Sequence, residues 1–254
     1  MHIEPTKGNK EQAENYIQKK GKYKEDGEKV LYLGRHGIIK GEQGKRKDLS
    51  IIEELIDQGK NINEILDTSV NYRQYEKLIK DVYFRKKWKE TPVKREIKVY
   101  WHVGKTGTGK SYEMVTLTEQ YGEDNIYVVT DYENGFDKYS GEKVLFMDEF
   151  RGQIKYNQLL TILDCYRAQV RCRYTNIFAL WNEVHITSVL SPEDVYKKMV
   201  QENRTVDTIE QLLRRINFVV EHFIKDGKYT KTKIKMEDYL KFEEIQVGID
   251  ELPF

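Results

Sequence analysis

The chain has 254 residues, enough for one large domain or two small ones with a real core. Hydrophobic residues make up 39% and charged residues 33%, and 43 Lys+Arg against 42 Asp+Glu leave a net charge of +1. The composition is therefore not that of a disordered chain, and bulk charge does not mark a nucleic-acid binder. No apolar run approaches about 18 residues, so neither a membrane span nor a membrane partner is expected. Two cysteines, Cys165 and Cys172, cannot build a disulfide framework or a four-ligand zinc site; a reducing compartment is the default. Five histidines (His2, His36, His102, His185, His222), none close to another in sequence, give no support to a histidine-cluster metal site.

The first 45 residues are rich in Gly and Lys, with one helix expected around Glu11 to Lys20. Asp48 is expected to cap a helix with Leu49, Ile52, Leu55 and Ile56 on one face, stopped by Gly59. Asn63 to Thr68 fits a second helix. Tyr72, Tyr75, Leu78, Ile79, Val82 and Tyr83 recur at helical spacing toward Trp88. Thr91-Pro92 reads as a linker, and beyond it the period changes. Ile97 to Val103, Ile126 to Thr130, Lys143 to Met147 and Val184 to Thr187 read as strands. Lys110 to Tyr121 and Tyr156 to Tyr166 read as helices. Ala168 to Arg173 and Asn176 to Trp181 flank Tyr174-Thr175 as a hairpin, and Ser191 with Pro192, Glu193 and Asp194 signals a helix start. Strands alternating with helices argue a three-layer α/β domain after a small helical bundle.

Gly104-Lys105-Thr106-Gly107-Thr108-Gly109-Lys110-Ser111 matches G-x-x-x-x-G-K-S between a predicted strand and a predicted helix. The glycines let backbone N–H groups turn toward phosphate oxygens. Lys110 offers charge to the β- and γ-phosphates, and the Ser111 hydroxyl can ligate Mg²⁺. The following helix adds its positive end. ATP with Mg²⁺ is the expected ligand. Downstream, Val144-Leu-Phe-Met-Asp148-Glu149 is an apolar strand ending in two carboxylates. Its end is expected at the phosphate crevice, with Asp148 in the magnesium shell and Glu149 as base for the attacking water. The pair points to NTP hydrolysis, without saying what the hydrolysis drives.

With these motifs in order, the chain resembles the replication initiators (Rep proteins) of circoviruses and related small circular single-stranded DNA viruses and plasmids. His2-Ile-Glu-Pro-Thr-Lys-Gly8 with Tyr16-Ile-Gln-Lys19 resembles the end of their HUH endonuclease domain. Gly41 to Leu49 resembles the joint into their oligomerisation helices. Residues 97 to 224 resemble their superfamily 3 helicase domain, an AAA+-like P-loop NTPase fold. Within it Ile186-Thr187-Ser188 resembles motif C, and Leu213-Arg214-Arg215-Ile216 resembles the late arginine motif. The resemblance implies three segments: 1–45 from the endonuclease, 46–90 for oligomerisation, and 91–254 for the helicase. It casts Tyr16 as the nucleophile that joins a DNA 5′ end and Lys19 as its electrostatic partner. No histidine pair of the family's nuclease metal site occurs in the sequence. The chain is therefore expected to start partway through that domain, with origin nicking incomplete. Val189 stands where motif C usually has Asn, so the hydroxyl of Thr187 or Ser188 is expected to substitute.

The family's DNA-gripping hairpin falls at Arg171, Arg173, Tyr174 and Thr175, where cations grip phosphates and an aromatic ring stacks on a base. Arg214 and Arg215 are the implied arginine fingers across a subunit interface, which requires self-assembly into a ring, expected to be a hexamer. The implied function is an ATP-dependent helicase on single-stranded DNA. A viral RNA helicase of the same superfamily, and a protein that binds nucleotide and DNA without turnover, remain as alternatives. The implied location is the host nucleus for a eukaryotic virus and the cytoplasm for a bacterial plasmid or phage.

Overall fold

The computed structural model describes residues 10–21, 24, 47–173, 176–197 and 208–241. The chain divides into two compact units, Met1–Gly59 and Lys60–Phe254. In the first, α1 spans Lys10–Ile17 and α2 spans Lys47–Asp57. Ile52 and Ile56 of α2 are buried, as the i, i+4 spacing requires. Asp48 lies inside the first turn of α2 and not at its cap, where its charge still complements the helix dipole.

The second unit opens with α3, Ile62–Thr68. Its cap is Asn61, two residues before the start expected from the sequence. The Asn61 side chain accepts from the Glu64 N–H at 2.8 Å, and the Glu64 carboxylate accepts from the Asn61 N–H at 2.8 Å. The aromatic repeat from Tyr72 then splits into a 3₁₀ segment, Val70–Tyr75, and α4, Glu76–Glu90. Ile79, Tyr83 and Phe84 are the buried residues of α4, whose end is capped at Thr91.

The core is a six-stranded sheet in the order β2-β3-β6-β1-β7-β8. Its members are β1 Lys98–Val103, β2 Ile126–Val129, β3 Val144–Met147, β6 Glu183–Ser188, β7 Phe218–Lys225 and β8 Lys228–Lys235. The first five strands of that order are parallel, and only β7–β8 is antiparallel. All four residues of β3 are buried, as expected for a short apolar strand flanked on both sides. β6 lies between β1 and β3, so the phosphate-loop strand and the acid strand are not neighbours. The α/β class with a P-loop domain is thus observed.

Helix α5, Glu113–Tyr121, follows β1 through a 3₁₀ turn at Lys110–Tyr112. Helix α6 spans Tyr156–Ile162 and stops four residues short of the predicted end. The N–H groups that would extend it go elsewhere: that of Tyr166 donates to Asp164 Oδ1 at 3.4 Å and that of Arg167 to the Val93 carbonyl at 3.0 Å, while Arg95 bonds the Cys165 carbonyl at 2.6 Å and the Asp164 carbonyl at 3.0 Å. Strands β4 Gln169–Arg171 and β5 Asn176–Phe178 pair antiparallel as the predicted hairpin. Residues 192–196 form turns where a helix start was expected, and the stretch after 197 lies outside the described residues. Helix α7 is one turn, Glu210–Leu213.

Candidate nucleotide site

Strand β1 delivers the chain to Gly104, where nothing larger fits: a Cβ there would stand 2.3 Å from the His222 carbonyl oxygen and 2.8 Å from Thr108 Oγ1. Gly107 and Gly109 take φ values of +82° and +86°, in the left-handed region. The loop runs directly into the amino end of the Lys110–Tyr121 helical segment, whose free N–H groups and dipole favour an anion there. Lys110 is buried, and its Nζ donates to the carbonyls of Gly104 at 2.8 Å and Lys105 at 2.9 Å. Burial pulls the Lys110 pKa down, while the Glu149 and Asp148 charges oppose that shift. The Thr108 hydroxyl donates to the Lys105 carbonyl at 2.8 Å and closes the curl.

The end of the acid strand β3 and strand β6 converge on this loop. Asp148 Oδ1 accepts from the Ser111 hydroxyl at 3.0 Å and from the Thr187 hydroxyl at 2.7 Å. Thr187 Oγ1 in turn accepts from the Glu149 N–H at 2.9 Å. One side chain of β6 therefore fixes both acids of β3. Ser188 plays no part in this, because its hydroxyl accepts from the Leu190 N–H at 3.0 Å. The Asp148 carbonyl accepts from the Tyr132 hydroxyl at 2.6 Å, and burial pushes that phenol's pKa up. Ser111 and Asp148 together present hard oxygen donors, a set that fits Mg²⁺.

Glu149 sits at φ +52°, a left-handed conformation that costs a non-glycine residue on the order of 1 kcal/mol. Its carboxylate, 62% exposed, pairs with Arg151 at 2.9 Å, and Gln153 Nε2 donates to its carbonyl at 3.0 Å. Arg151 was missed at sequence level, although it stands two residues after the acid pair.

Arg171 is exposed on β4. The Arg173 N–H donates to Asp137 Oδ1 at 2.9 Å, and its half-exposed guanidinium lies 3.6 Å from Asp137 Oδ2. Tyr174 and Thr175 lie outside the described residues. Arg214 is exposed at the carboxyl cap of α7, while Arg215 pairs with Asp164 of the same chain at 2.8 Å. Helix α1 ends at Ile17, and Lys19 beyond it takes φ +50°, with its Nζ 4.9 Å from the Tyr16 ring centroid.

The histidine reading needs correction. His102, His185 and His222 are far apart in sequence, yet β1, β6 and β7 are adjacent in the sheet. His102 Nε2 lies 2.9 Å from His185 Nδ1, and His102 Nδ1 lies 3.0 Å from His222 Nε2. Sequence spacing cannot reveal contacts made by sheet order. The β7–β8 hairpin was also missed. Its signal was present, because Asp226-Gly227, between the apolar run Phe218–Lys225 and a run in which Lys alternates with Tyr, Thr and Ile, favours a tight turn, and both residues take positive φ.

Comparison with known proteins agrees with this picture. A family model described as RNA helicase matches residues 100–178, from β1 through β5. The replication-associated protein of Porcine circovirus 1 is 27% identical over 221 residues, covering 85% of this chain and 63% of that protein. Its counterpart from Porcine circovirus 2 is 26% identical, covering 86% and 64%. The chain thus spans less than two thirds of the length of these relatives. Among solved structures, an S. cerevisiae Hsp104–ADP complex matches with TM-score 0.34 and 14% identity over 70% of this chain and 36% of that one, a likeness too loose to carry an argument. Over most of its length the chain is similar to the replication-associated proteins of circoviruses, and a helicase-family match covers its phosphate loop and acid strand.

Proposed function

We propose that this chain is an ATP-dependent helicase on single-stranded DNA, part of a rolling-circle replication initiator. The observation that carries the reading is the convergence of Ser111, Asp148 and Thr187 within hydrogen-bond distance, with Glu149 beside them at the mouth of the phosphate loop. Ser111 and Asp148 would hold Mg²⁺, which when bound neutralises phosphate charge. Lys110 exchanges its loop carbonyls for phosphate oxygens. Thr187 keeps Asp148 and the Glu149 backbone fixed, filling the place of the motif C Asn that Val189 vacates. Glu149, released from Arg151, accepts the proton of the attacking water.

In this reading residues 91–254 are the motor, 46–90 the oligomerisation segment and 1–45 the end of an endonuclease domain. The exposed apolar side chains Leu78 and Val82 on α4 support self-assembly, with a hexameric ring as the proposed state. Arg214 is the better finger, because Arg215 is engaged by Asp164. Arg171, Arg173 and Tyr174 are the proposed DNA grip. Relatives from porcine circoviruses support a eukaryotic-virus setting and hence the host nucleus.

The match to a model described as RNA helicase favours a second reading, a motor on RNA. ATPase activity measured with single-stranded DNA and with RNA tests both. Stimulation by DNA several-fold above RNA is expected; stimulation by RNA alone favours the second reading, and no turnover with either refutes the motor assignment.

A further inference from the structure

The three histidines in contact serve no step of the phosphate chemistry, and their hydrogen bonds fix their protons. Glu183 Oε1 can only accept, so His185 carries its proton on Nε2, 2.8 Å away. Glu183 Oε2 accepts from the Tyr121 hydroxyl at 3.0 Å, which anchors the carboxylate. His185 Nδ1 is then a lone pair, and His102 Nε2 donates to it at 2.9 Å. His102 Nδ1 must in turn be a lone pair. It accepts from the His222 Nε2–H at 3.0 Å, a proton that must move to His222 Nδ1 when Nε2 binds a metal, and the ligand atoms of His102, His222 and Glu113 all lie within 4.8 Å of one another. All three rings are buried.

We propose that His102 Nδ1, His222 Nε2 and the Glu113 carboxylate form a binding site for a divalent transition metal of the Zn²⁺ class. Two imidazoles and a carboxylate are a donor set that suits zinc over magnesium. Donors around tetrahedral zinc stand ~3.3 Å apart for bonds of about 2.0–2.1 Å, close to the 3.0 Å between the two nitrogens here. The outer N–H of His102 is oriented by His185, itself held by Glu183 and Tyr121, the kind of support that metal-bound histidines usually have. A cation already sits against the carboxylate: Lys231 Nζ donates to both Glu113 oxygens at 2.8 and 3.0 Å. A divalent ion would displace that ammonium. On its open side lies a cavity of about 480 Å³ lined by Thr108, Gly109, Tyr112, Tyr229 and Lys231, with room for a fourth ligand. The site joins β1, β7 and α5 at the base of the phosphate loop, where the His222 carbonyl packs against Gly104. It is separate from the all-oxygen pair Ser111 and Asp148.

The test uses the full chain stripped with a chelator, carrying Cys165→Ser and Cys172→Ser to remove thiols, in millimolar Mg²⁺ to saturate the oxygen site. Zn²⁺ is titrated by competition with a chromophoric chelator, and Co²⁺ serves as a spectroscopic substitute. One Zn²⁺ per chain is expected, with X-ray absorption reporting two imidazole nitrogens. Glu113→Gln should weaken binding at least tenfold. Lys231→Met, at an exposed side chain, should tighten it several-fold, an effect that damage to the fold cannot mimic. Absence of stoichiometric Zn²⁺ binding to the parent would overturn the proposal. So would affinity that neither Glu113→Gln nor Lys231→Met alters, or a metal spectrum without imidazole ligands.

Discussion

Replacing Thr187 by Val isolates the residue that ties motif C to both acids. Valine keeps the β-branched shape that β6 favours and removes only the hydroxyl. The parent hydroxyl donates to a carboxylate at 2.7 Å and accepts from the Glu149 N–H at 2.9 Å, at a position 1% exposed. A hydrogen bond to a charged group contributes about 1.5–3 kcal/mol, and a buried N–H left unpaired costs about 1–3 kcal/mol. Asp148 keeps its bond to Ser111, which offsets part of the loss. A net destabilisation of about 2–4 kcal/mol is expected, or a fall in Tm on the order of 10 °C for a unit of this size. The catalytic effect is separate. If the hydroxyl holds the acids in register for hydrolysis, a loss of about 1.4–2.7 kcal/mol in the transition state lowers kcat by roughly 10- to 100-fold. Nucleotide affinity should change far less, because Lys110 and the loop amides are untouched. Ser188→Ala is the matched control: its hydroxyl serves only the Leu190 N–H, and turnover should stay within about twofold. Calorimetry, ATPase assays and nucleotide binding read these effects. Parent-level stability and turnover in Thr187→Val, or equal losses in Ser188→Ala, would refute the coupling of motif C to the acid strand through Thr187.

Gly104→Ala places a methyl carbon 2.3 Å from a backbone oxygen and should abolish nucleotide binding or lower Tm sharply; an alanine variant that binds like the parent would mean that the loop shifts freely. Glu149→Gln should retain nucleotide affinity and lose at least ~100-fold in turnover, because the amide cannot take the water's proton; single-turnover assays decide. Arg173→Ala should weaken single-stranded DNA binding and flatten its salt dependence by about one unit of slope. Asp137→Asn, which frees Arg173 from its partner, should strengthen binding, and equal affinities across salt concentrations for both variants would remove Arg173 from the grip. For Asp164, burial raises the pKa but the hydrogen bond and charge of Arg215 outweigh it, so the folded value lies below 3.8. A depressed carboxylate contributes stability above its unfolded pKa and loses it as pH falls through the folded one. The Tm gap between parent and Asp164→Asn, equivalent to about 1–3 kcal/mol, should hold above pH 4 and close in stronger acid; a gap that persists there would contradict the ion pair.

The phosphate loop, the acid pair and the strands carrying them were legible in the sequence because their information is local. A glycine-rich turn before a lysine, and an apolar run closing on two carboxylates, each reveal a short-range requirement of backbone or burial. Glu113 and Lys231 are 118 residues apart in sequence, His102 and His222 are 120 apart, and nothing near any of them marks the meeting. Helix ends showed the same limit in miniature: α6 is not continued where the Arg167 N–H donates to the Val93 carbonyl, 74 residues upstream. Sequence also left Thr187 and Ser188 equivalent. The parallel pairing of β3 with β6, Met147 against Ile186, carries Thr187 onto Asp148 and leaves Ser188 to Leu190. Local motifs and periodicity thus determined that a P-loop α/β domain exists. The order of the strands decided which distant side chains share a hydrogen bond, because register is a property of pairs of segments and neither segment encodes its partner.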